Sequence, residues 1–261
     1  MHARRLYAHR GASAERPENT LPAFHRAVEI GVDALEMDVH VTRDDHLIVA
    51  HDPTAGRTTG AQLAWGDLDV VDVRRLDAGW GFVAADGTRP FAGKGIRIPT
   101  FEEVLDAFPA MRINVDLKGD RAVALMLDLI GRKRADDRVT LASFQLGTLV
   151  AIRRRGYGGE TSLSQGEVAS LLGLPAMLWR QLPFTGTAAQ VPVRSGRIRF
   201  DRATFIAKCH SIGLRVDFWT IDDRSEAARL LELGADGIIS NDPGALRPLF
   251  APPARDSAHA G

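Results

Sequence analysis

Two carboxylates alternate with apolar residues in segment 35–39, which contains Glu36 and Asp38. Because successive side chains of a strand point to opposite faces, these two carboxylates share one face. The same spacing places Asp116 and Lys118 on one face of a second apolar segment. Three carboxylates from neighbouring strands form an all-oxygen set suited to one hard divalent cation, Mg²⁺ or Ca²⁺. Either pair alone would fit a strand with a solvated polar face equally well. The prediction of a metal site therefore depends on finding the same spacing in two segments.

Two histidines each end an apolar segment, His9 before Arg10 and His51 before Asp52. Histidine titrates near neutral pH, so a pair on either side of a phosphorus atom can serve as base and acid. Arg10 and Lys118 supply positive charge for a phosphoryl group, the arginine through its forked donors. A single histidine more often has a structural hydrogen-bonding role. The combination with the carboxylates therefore predicts a metal-dependent catalytic site for a phosphate ester.

Short β-rich segments alternate with segments of helical period, which is typical of β-α units around a parallel sheet. We count about eight units, the number that closes a (β/α)8 TIM barrel, whose catalytic groups lie at the carboxyl ends of the strands. We predict strands at 6–9, 34–40 with an extended piece at 47–51, 112–117, 139–143, 160–164, 188–193, 214–220 and 237–240. We predict helices from Thr20 to Gly31, at 100–108, 120–134, 145–155, 201–212 and 223–233, and a short one after Asp242.

Segment 53–99 interrupts this alternation with many Gly and Asp residues. A structureless loop of that length is uncommon in a compact domain, so we expect a small insertion after the second strand, beside the barrel mouth. The length of 261 residues suits a single barrel domain covering 1–261. The tail 251–261 is expected to fray. The apolar segment 171–184 is either a lip that contacts lipid chains or, more commonly for such segments, packing at the mouth.

The charge balance excludes a broad basic surface. Thirty-three Lys and Arg residues match 33 Asp and Glu residues, so the chain lacks the positive excess that neutralises a nucleic-acid backbone. The single cysteine, Cys209, cannot form an internal disulfide, which favours a reducing compartment. No segment approaches the roughly 18 apolar residues of a membrane span, and the amino terminus lacks a signal-peptide pattern. We expect a soluble, cytoplasmic protein without stable membrane insertion that acts on a small molecule.

Eight short strings occur in the order of a known family. They are His9-Arg10-Gly11, Pro17-Glu18-Asn19-Thr20, Glu36-Met37-Asp38, His51-Asp52, Arg57-Thr58-Thr59-Gly60, Leu76-Asp77-Ala78-Gly79, Ile98-Pro99-Thr100 with Glu103, and Asp236-Gly237-Ile238-Ile239. Together they resemble the signature of the glycerophosphodiester phosphodiesterase family over nearly the whole chain. The resemblance implies a barrel, hydrolysis of glycerophosphodiesters to glycerol 3-phosphate and an alcohol, and a divalent metal. The residues that it implies are Glu36 and Asp38 for the metal, His9 and His51 for catalysis, and Arg10 and Lys118 for phosphate.

Two positions depart from the family pattern. Asp116-Leu117-Lys118 stands where the family usually has Glu-x-Lys, which keeps the charge of the third ligand but shortens it by one methylene. Trp219-Thr220-Ile221-Asp222 stands where the family has Trp-Thr-x-Asn, and the role of Asp222 stays open. Trp219 is either an apolar wall of the substrate pocket or a core residue.

Two other functions stay open. A lysophospholipase D, or a lyase that forms a cyclic phosphate, would be favoured by an apolar rim near 171–184. A non-catalytic phosphate-binding barrel is the third alternative, and the complete set of acids and histidines argues against it. The sequence does not distinguish direct hydrolysis from a cyclic intermediate, Mg²⁺ from Ca²⁺, or the acid histidine from the base. It also leaves head-group choice and oligomeric state open.

Overall fold

Parallel strands form the centre of the molecule, and the computed structural model describes residues 2–174 and 185–250. The strands are β1 (Arg5–His9), β2 (Ala34–Val41), β3 (Leu47–Val49), β4 (Arg112–Leu117), β5 (Val139–Ala142), β6 (Ala188–Pro192), β7 (Arg194–Ser195), β8 (Ile198–Arg199), β9 (Arg215–Trp219) and β10 (Gly237–Ser240). Seven of them pair in parallel in the order β5-β4-β2-β1-β10-β9-β6. β3 pairs antiparallel with β2, and β7 with β8. The predicted α/β class with a parallel sheet is confirmed.

Two isolated parallel bridges join the ends of this path. Leu141 of β5 pairs with Thr161, and Ser162 pairs with Ala188 of β6. The path of parallel pairing therefore returns to the strand where it began. The predicted strand 160–164 lies at this position, where it forms these bridges rather than a regular strand.

Ten α-helices lie in the described ranges, and some of them begin at a side-chain cap. They are α1 (Leu21–Ile30), α2 (Gly56–Thr59), α3 (Val70–Val73), α4 (Phe101–Ala107), α5 (Arg121–Lys133), α6 (Leu146–Arg154), α7 (Gln165–Gly173), α8 (Ala203–His210), α9 (Arg224–Glu232) and α10 (Pro243–Leu246). Thr20 accepts a hydrogen bond from Ala23 N at the start of α1, and Gly31 ends that helix with a left-handed φ of 83°. The sequence prediction contains no helix at α7. The sequence does contain a signal for the start of α7, because Ser164 and Glu167 form a capping box there.

The segment between β3 and α4 has its own apolar cluster. It contains α2, α3 and a 3-10 turn at Trp65–Asp67. Trp65, Val73 and Ile98 are buried together with Ile48 of β3, apart from the main core. This packing attaches the segment to the sheet beside β3.

A buried ion pair lies near the amino ends of β1, β9 and β10. Asp217 is fully buried and accepts hydrogen bonds from the Tyr7 hydroxyl (3.1 Å) and from Arg215 (3.0 Å). Burial raises the pKa of Asp217, although Arg215 opposes the shift. Gly237 packs so closely against this carboxylate that a Cβ there would overlap it. Arg215 begins β9, and Asp217 lies two residues before Trp219 on the same strand.

Two sequence predictions fall outside the described residues. The tail 251–261 is one of them, and residues 175–184 of the predicted apolar lip are the other. Among the helices of the described ranges, none is long and apolar enough to cross a bilayer.

Candidate active site

The eight predicted site residues all line one pocket of about 450 Å³. They are His9, Arg10, Glu36, Asp38, His51, Asp116, Lys118 and Trp219. His9 and Trp219 end β1 and β9, and Arg10 and Lys118 directly follow β1 and β4. The structure therefore brings these residues together at the carboxyl ends of the parallel strands.

Glu36, Asp38 and Asp116 are buried carboxylates on two adjacent strands. Asp38 and Asp116 are direct neighbours in the register of β2 and β4. Burial and the charge of Asp38 raise the pKa of Glu36 well above its usual value, and burial raises the pKa of Asp116. Burial also opposes ionisation of Asp38, but Lys118 and Arg10 outweigh it and lower the pKa. A bound cation would favour the ionised form of all three acids.

Two cationic side chains lie against these acids. The Lys118 ammonium is 2.8 Å from Asp38 Oδ1 and 2.5 Å from Asp116 Oδ2. Burial disfavours the charge of Lys118, yet the two carboxylates outweigh burial and raise its pKa. Arg10 Nε lies 3.4 Å from Asp38 Oδ2 and, among the described residues, is buried without a hydrogen-bond partner. Both cations therefore have N–H groups left for phosphoryl oxygens.

The donor chemistry of this cluster fits a hard divalent cation, which prefers oxygen ligands. Besides the three carboxylates, Asn19 Oδ1 is buried without a hydrogen-bond partner in the described ranges, while Asn19 Nδ2 donates to Asp38. With the side chains as they stand, no three His, Cys, Asp or Glu residues of the described chain form a ready metal site. The Lys118 ammonium lies between Asp38 and Asp116.

His9 is held by a chain of hydrogen bonds behind it. Its Nδ1 donates to Asn241 Oδ1 at 2.7 Å, and Ser13 Oγ donates to the same oxygen at 3.0 Å. Asp222 accepts from Asn241 N at 2.7 Å and from Asn241 Nδ2 at 2.8 Å. Burial and the charge of Arg10 lower the pKa of His9. The neutral ring therefore keeps Nε2 as a proton acceptor, and the open question about Asp222 has an answer: it orients Asn241.

His51 pairs with the carboxylate that follows it in the sequence. Its Nδ1 lies 2.7 Å from Asp52 Oδ1, and its backbone oxygen is 3.0 Å from His40 Nε2. Arg57 Nε donates to the second oxygen of Asp52 at 2.6 Å. Burial raises the pKa of Asp52, but Arg57 and His51 outweigh it and lower the value. Each histidine thus has Nδ1 anchored and Nε2 available.

One family model matches the chain over residues 9–245, that of the glycerophosphoryl diester phosphodiesterase family. This range contains the acids, cations and histidines of the pocket. The chain belongs to this family. The resemblance predicted from the eight strings is confirmed, and the chain is an enzyme that hydrolyses glycerophosphodiesters. Glycerophosphoryl diester phosphodiesterases generally depend on a divalent metal.

Three known proteins illustrate the relationship. A probable glycerophosphodiester phosphodiesterase 2 of Mycobacterium tuberculosis is 31% identical over 247 residues, covering 92% of this chain and 88% of that protein. Human lysophospholipase D GDPD1 is 27% identical over 276 aligned positions, covering 92% and 84%. An Oleispira antarctica phosphodiesterase, solved in complex with the product sn-glycerol-3-phosphate, has a TM-score of 0.78 at 22% identity, covering 94% and 96%. The last likeness shows a common fold.

One side of the pocket of this glycerophosphoryl diester phosphodiesterase is apolar. Trp219 packs edge-on against Phe144, with ring centroids 5.8 Å apart. Other apolar residues that line the pocket are Leu163, Val168, Leu172, Val191, Ile198 and Phe200. Phe144, Leu172 and Ile198 are 47%, 36% and 50% exposed. An apolar part of a ligand could therefore contact this side while its phosphate lies among the charged groups.

The sequence prediction of the site omits the residues that orient the histidines. Asn241 directly follows β10, and a polar residue at the carboxyl end of a parallel strand is a signal that could have found it. Asp52 and Arg57 lie in the family strings without an assigned role. Ser13 carries no sequence signal that separates it from a surface serine.

Proposed function

We propose that this pocket converts a glycerophosphodiester to glycerol 3-phosphate and an alcohol with the eight residues predicted from the sequence. One observation carries the proposal: two histidines with anchored Nδ1 atoms line the same pocket as three carboxylates and two cations. Glu36, Asp38 and Asp116 would hold one Mg²⁺ or Ca²⁺ ion, which when bound supplies Lewis-acid polarisation of a phosphoryl oxygen.

Arg10 and Lys118 bind the phosphate and neutralise its charge. Arg10 is already held by the carboxylate of Glu18, so it needs little reorganisation when negative charge develops in the transition state. Trp219 and Phe144 form the wall that contacts the carbon atoms of the substrate.

His9 acts as the base and His51 as the acid. The lowered pKa of His9 keeps Nε2 unprotonated near neutral pH, so it can take a proton from the attacking hydroxyl. As the bond from phosphorus to the leaving oxygen breaks, His51 gives that oxygen a proton. The attacking hydroxyl is that of water or of the glycerol itself, and the latter route passes through a cyclic phosphate. Phosphorus-31 spectra recorded during turnover distinguish the two, because the cyclic ester has its own resonance.

The deciding experiment is an assay of the purified protein with glycerophosphocholine, with and without EDTA and added Mg²⁺ or Ca²⁺. We expect metal-dependent release of glycerol 3-phosphate, lost in E36Q, D38N and D116N. D128N is the matched control, because Asp128 is an exposed acid on α5 with 69% of its side chain accessible. No metal-dependent release from any glycerophosphodiester would end the proposal.

We also propose that the sheet is a closed (β/α)8 TIM barrel forming a single domain over 1–261. The bridges at Thr161 and Ser162 support an eighth position between β5 and β6. The separate apolar cluster around Trp65 supports an insertion over 53–99. A cytoplasmic location and the absence of a nucleic-acid partner stay predictions from the sequence, and cell fractionation tests the location.

A second candidate substrate is a lysophospholipid, cleaved as by a lysophospholipase D. The exposed apolar residues Leu172 and Ile198 favour it, because a short head group needs no such surface. We expect L172S/I198S to raise KM for lysophosphatidylcholine roughly 30-fold, since the two lost apolar contacts cost about 1 kcal/mol each. KM for glycerophosphocholine should stay unchanged. Val71→Ser is the control, because Val71 is 53% exposed outside the pocket, and equal effects on both substrates would remove this candidate.

A further inference from the structure

Arg57 joins two carboxylates that each hold a residue of the pocket. Its Nε donates to Asp52 Oδ2 at 2.6 Å, and its terminal nitrogens donate to the two oxygens of Glu18 at 2.6 and 2.8 Å. The other oxygen of Asp52 lies 2.7 Å from His51 Nδ1. Glu18 also accepts from Arg10 at 3.0 Å. One guanidinium therefore connects the supports of His51 and Arg10.

Both carboxylates are ionised in this arrangement. Burial opposes the charge of Asp52 and of Glu18, but in each case Arg57 helps to outweigh burial and lower the pKa. An ionised carboxylate only accepts hydrogen bonds, so His51 Nδ1 must carry the proton that faces Asp52. Because the Nδ1 proton is held on Asp52, the proton that His51 gives to the leaving oxygen is the one on Nε2.

The chain around Arg57 is itself anchored. Arg57 lies on α2, and Gly81 N donates to Thr58 O at 2.9 Å. A Cβ at Gly81 would come within 2.6 Å of Arg57 O, so glycine permits this close approach. Trp65 Nε1 donates to Asp52 O at 2.7 Å. The segment after β3 thus gives the guanidinium a fixed attachment.

We propose that Arg57 is a positioning residue, which orients His51 through Asp52 and Arg10 through Glu18. The inference rests on the proposed function, because it assumes that His51 transfers a proton and Arg10 contacts phosphate. A planar guanidinium has donors for both carboxylates at once, whereas a lysine ammonium is a compact charge that cannot reproduce this fork.

Steady-state kinetics of R57A and R57K test the inference, with R74A as the control variant. Arg74 lies in the same segment, has the same 48% side-chain exposure, and pairs with Glu103. We expect R57A to lower kcat/KM roughly 10- to 100-fold, with kcat falling through His51 and KM rising through Arg10. R57K should be impaired nearly as much, because it keeps the charge but loses the fork. R74A should stay within about twofold of the native enzyme.

Two measurements separate positioning from a structural role. The loss of kcat in D52N/R57A should be smaller than the sum of the losses in D52N and R57A, because Arg57 reaches His51 through Asp52. Nitrogen-15 spectra of the histidine rings, assigned with H51Q, should report a protonated Nδ1 in the native protein and a tautomer mixture in R57A and R57K. This signal needs no turnover, so it still tests positioning if no glycerophosphodiester is cleaved, which would end the proposed function instead.

Native kcat/KM in R57A and R57K, together with an unchanged His51 spectrum, would overturn the inference. Additive losses of kcat in D52N/R57A would do the same. A loss of activity that only follows a lower melting temperature, with the native His51 spectrum, would make Arg57 structural and also overturn it.

Discussion

Replacing Arg215 with methionine is expected to destabilise the protein in a pH-dependent way. Arg215 is 4% exposed and donates to the fully buried carboxylate of Asp217 at 3.0 Å. The variant leaves Asp217 with its hydrogen bond from Tyr7 and without its cationic partner. Removal of one partner of a buried ion pair costs about 3–5 kcal/mol, which corresponds to a fall in Tm of roughly 6–20 °C for a chain of this size.

The sign of the pH dependence follows from the pKa of Asp217. Burial raises this pKa in the folded protein, and loss of Arg215 should raise it further. An acid whose folded pKa exceeds its unfolded value, about 3.9, loses stability as pH rises through the folded pKa. The free energy of unfolding of R215M should therefore be closest to that of the native protein at about pH 5 and furthest from it at about pH 8. The difference should grow by about 1.4 kcal/mol for each unit by which the loss of Arg215 raises the pKa of Asp217 further.

Urea unfolding at both pH values, followed by circular dichroism, measures this difference. R215M/D217N removes both charges and should recover most of the stability. R138M is the control, because Arg138 donates to three backbone carbonyls and, within the described residues, to no carboxylate. R138M should lose the same free energy of unfolding at both pH values. The reasoning is refuted if R215M loses the same free energy of unfolding at both pH values, or if R215M/D217N is no more stable than R215M.

Three further results are expected at the pocket. H9A and H51A should each lower kcat roughly 10²–10⁴-fold with unchanged thermal unfolding, and a loss below about tenfold in steady-state kinetics would remove that histidine from proton transfer. N241A should lower kcat roughly 10- to 100-fold, because Asn241 orients His9; a further loss in H9A/N241A relative to H9A would contradict this. Added Mg²⁺ or Ca²⁺ should raise Tm in scanning fluorimetry, less so as pH falls, because the raised pKa values of Glu36 and Asp116 let protons compete. An equal rise in D38N would argue against a metal at these acids.

Alternation within single strands predicted which polar groups share a face. The pairs Glu36 with Asp38 and Asp116 with Lys118 line one pocket, as a period of two residues requires. Helix ends were equally predictable, because the cap at Thr20 is a contact between residues a few positions apart. Such features depend on neighbours in the sequence, so the sequence by itself determined them.

Contacts between distant segments were decided by the tertiary structure. Lys118 lies between Asp38 and Asp116 because β2 and β4 pair in that register. Asn241 reaches His9 across 232 positions of the chain, and Arg57 bridges two carboxylates from different segments. The sequence determined which groups are present and which face they share. Strand register and packing decided which of them meet, because no local period encodes a contact between segments far apart in the chain.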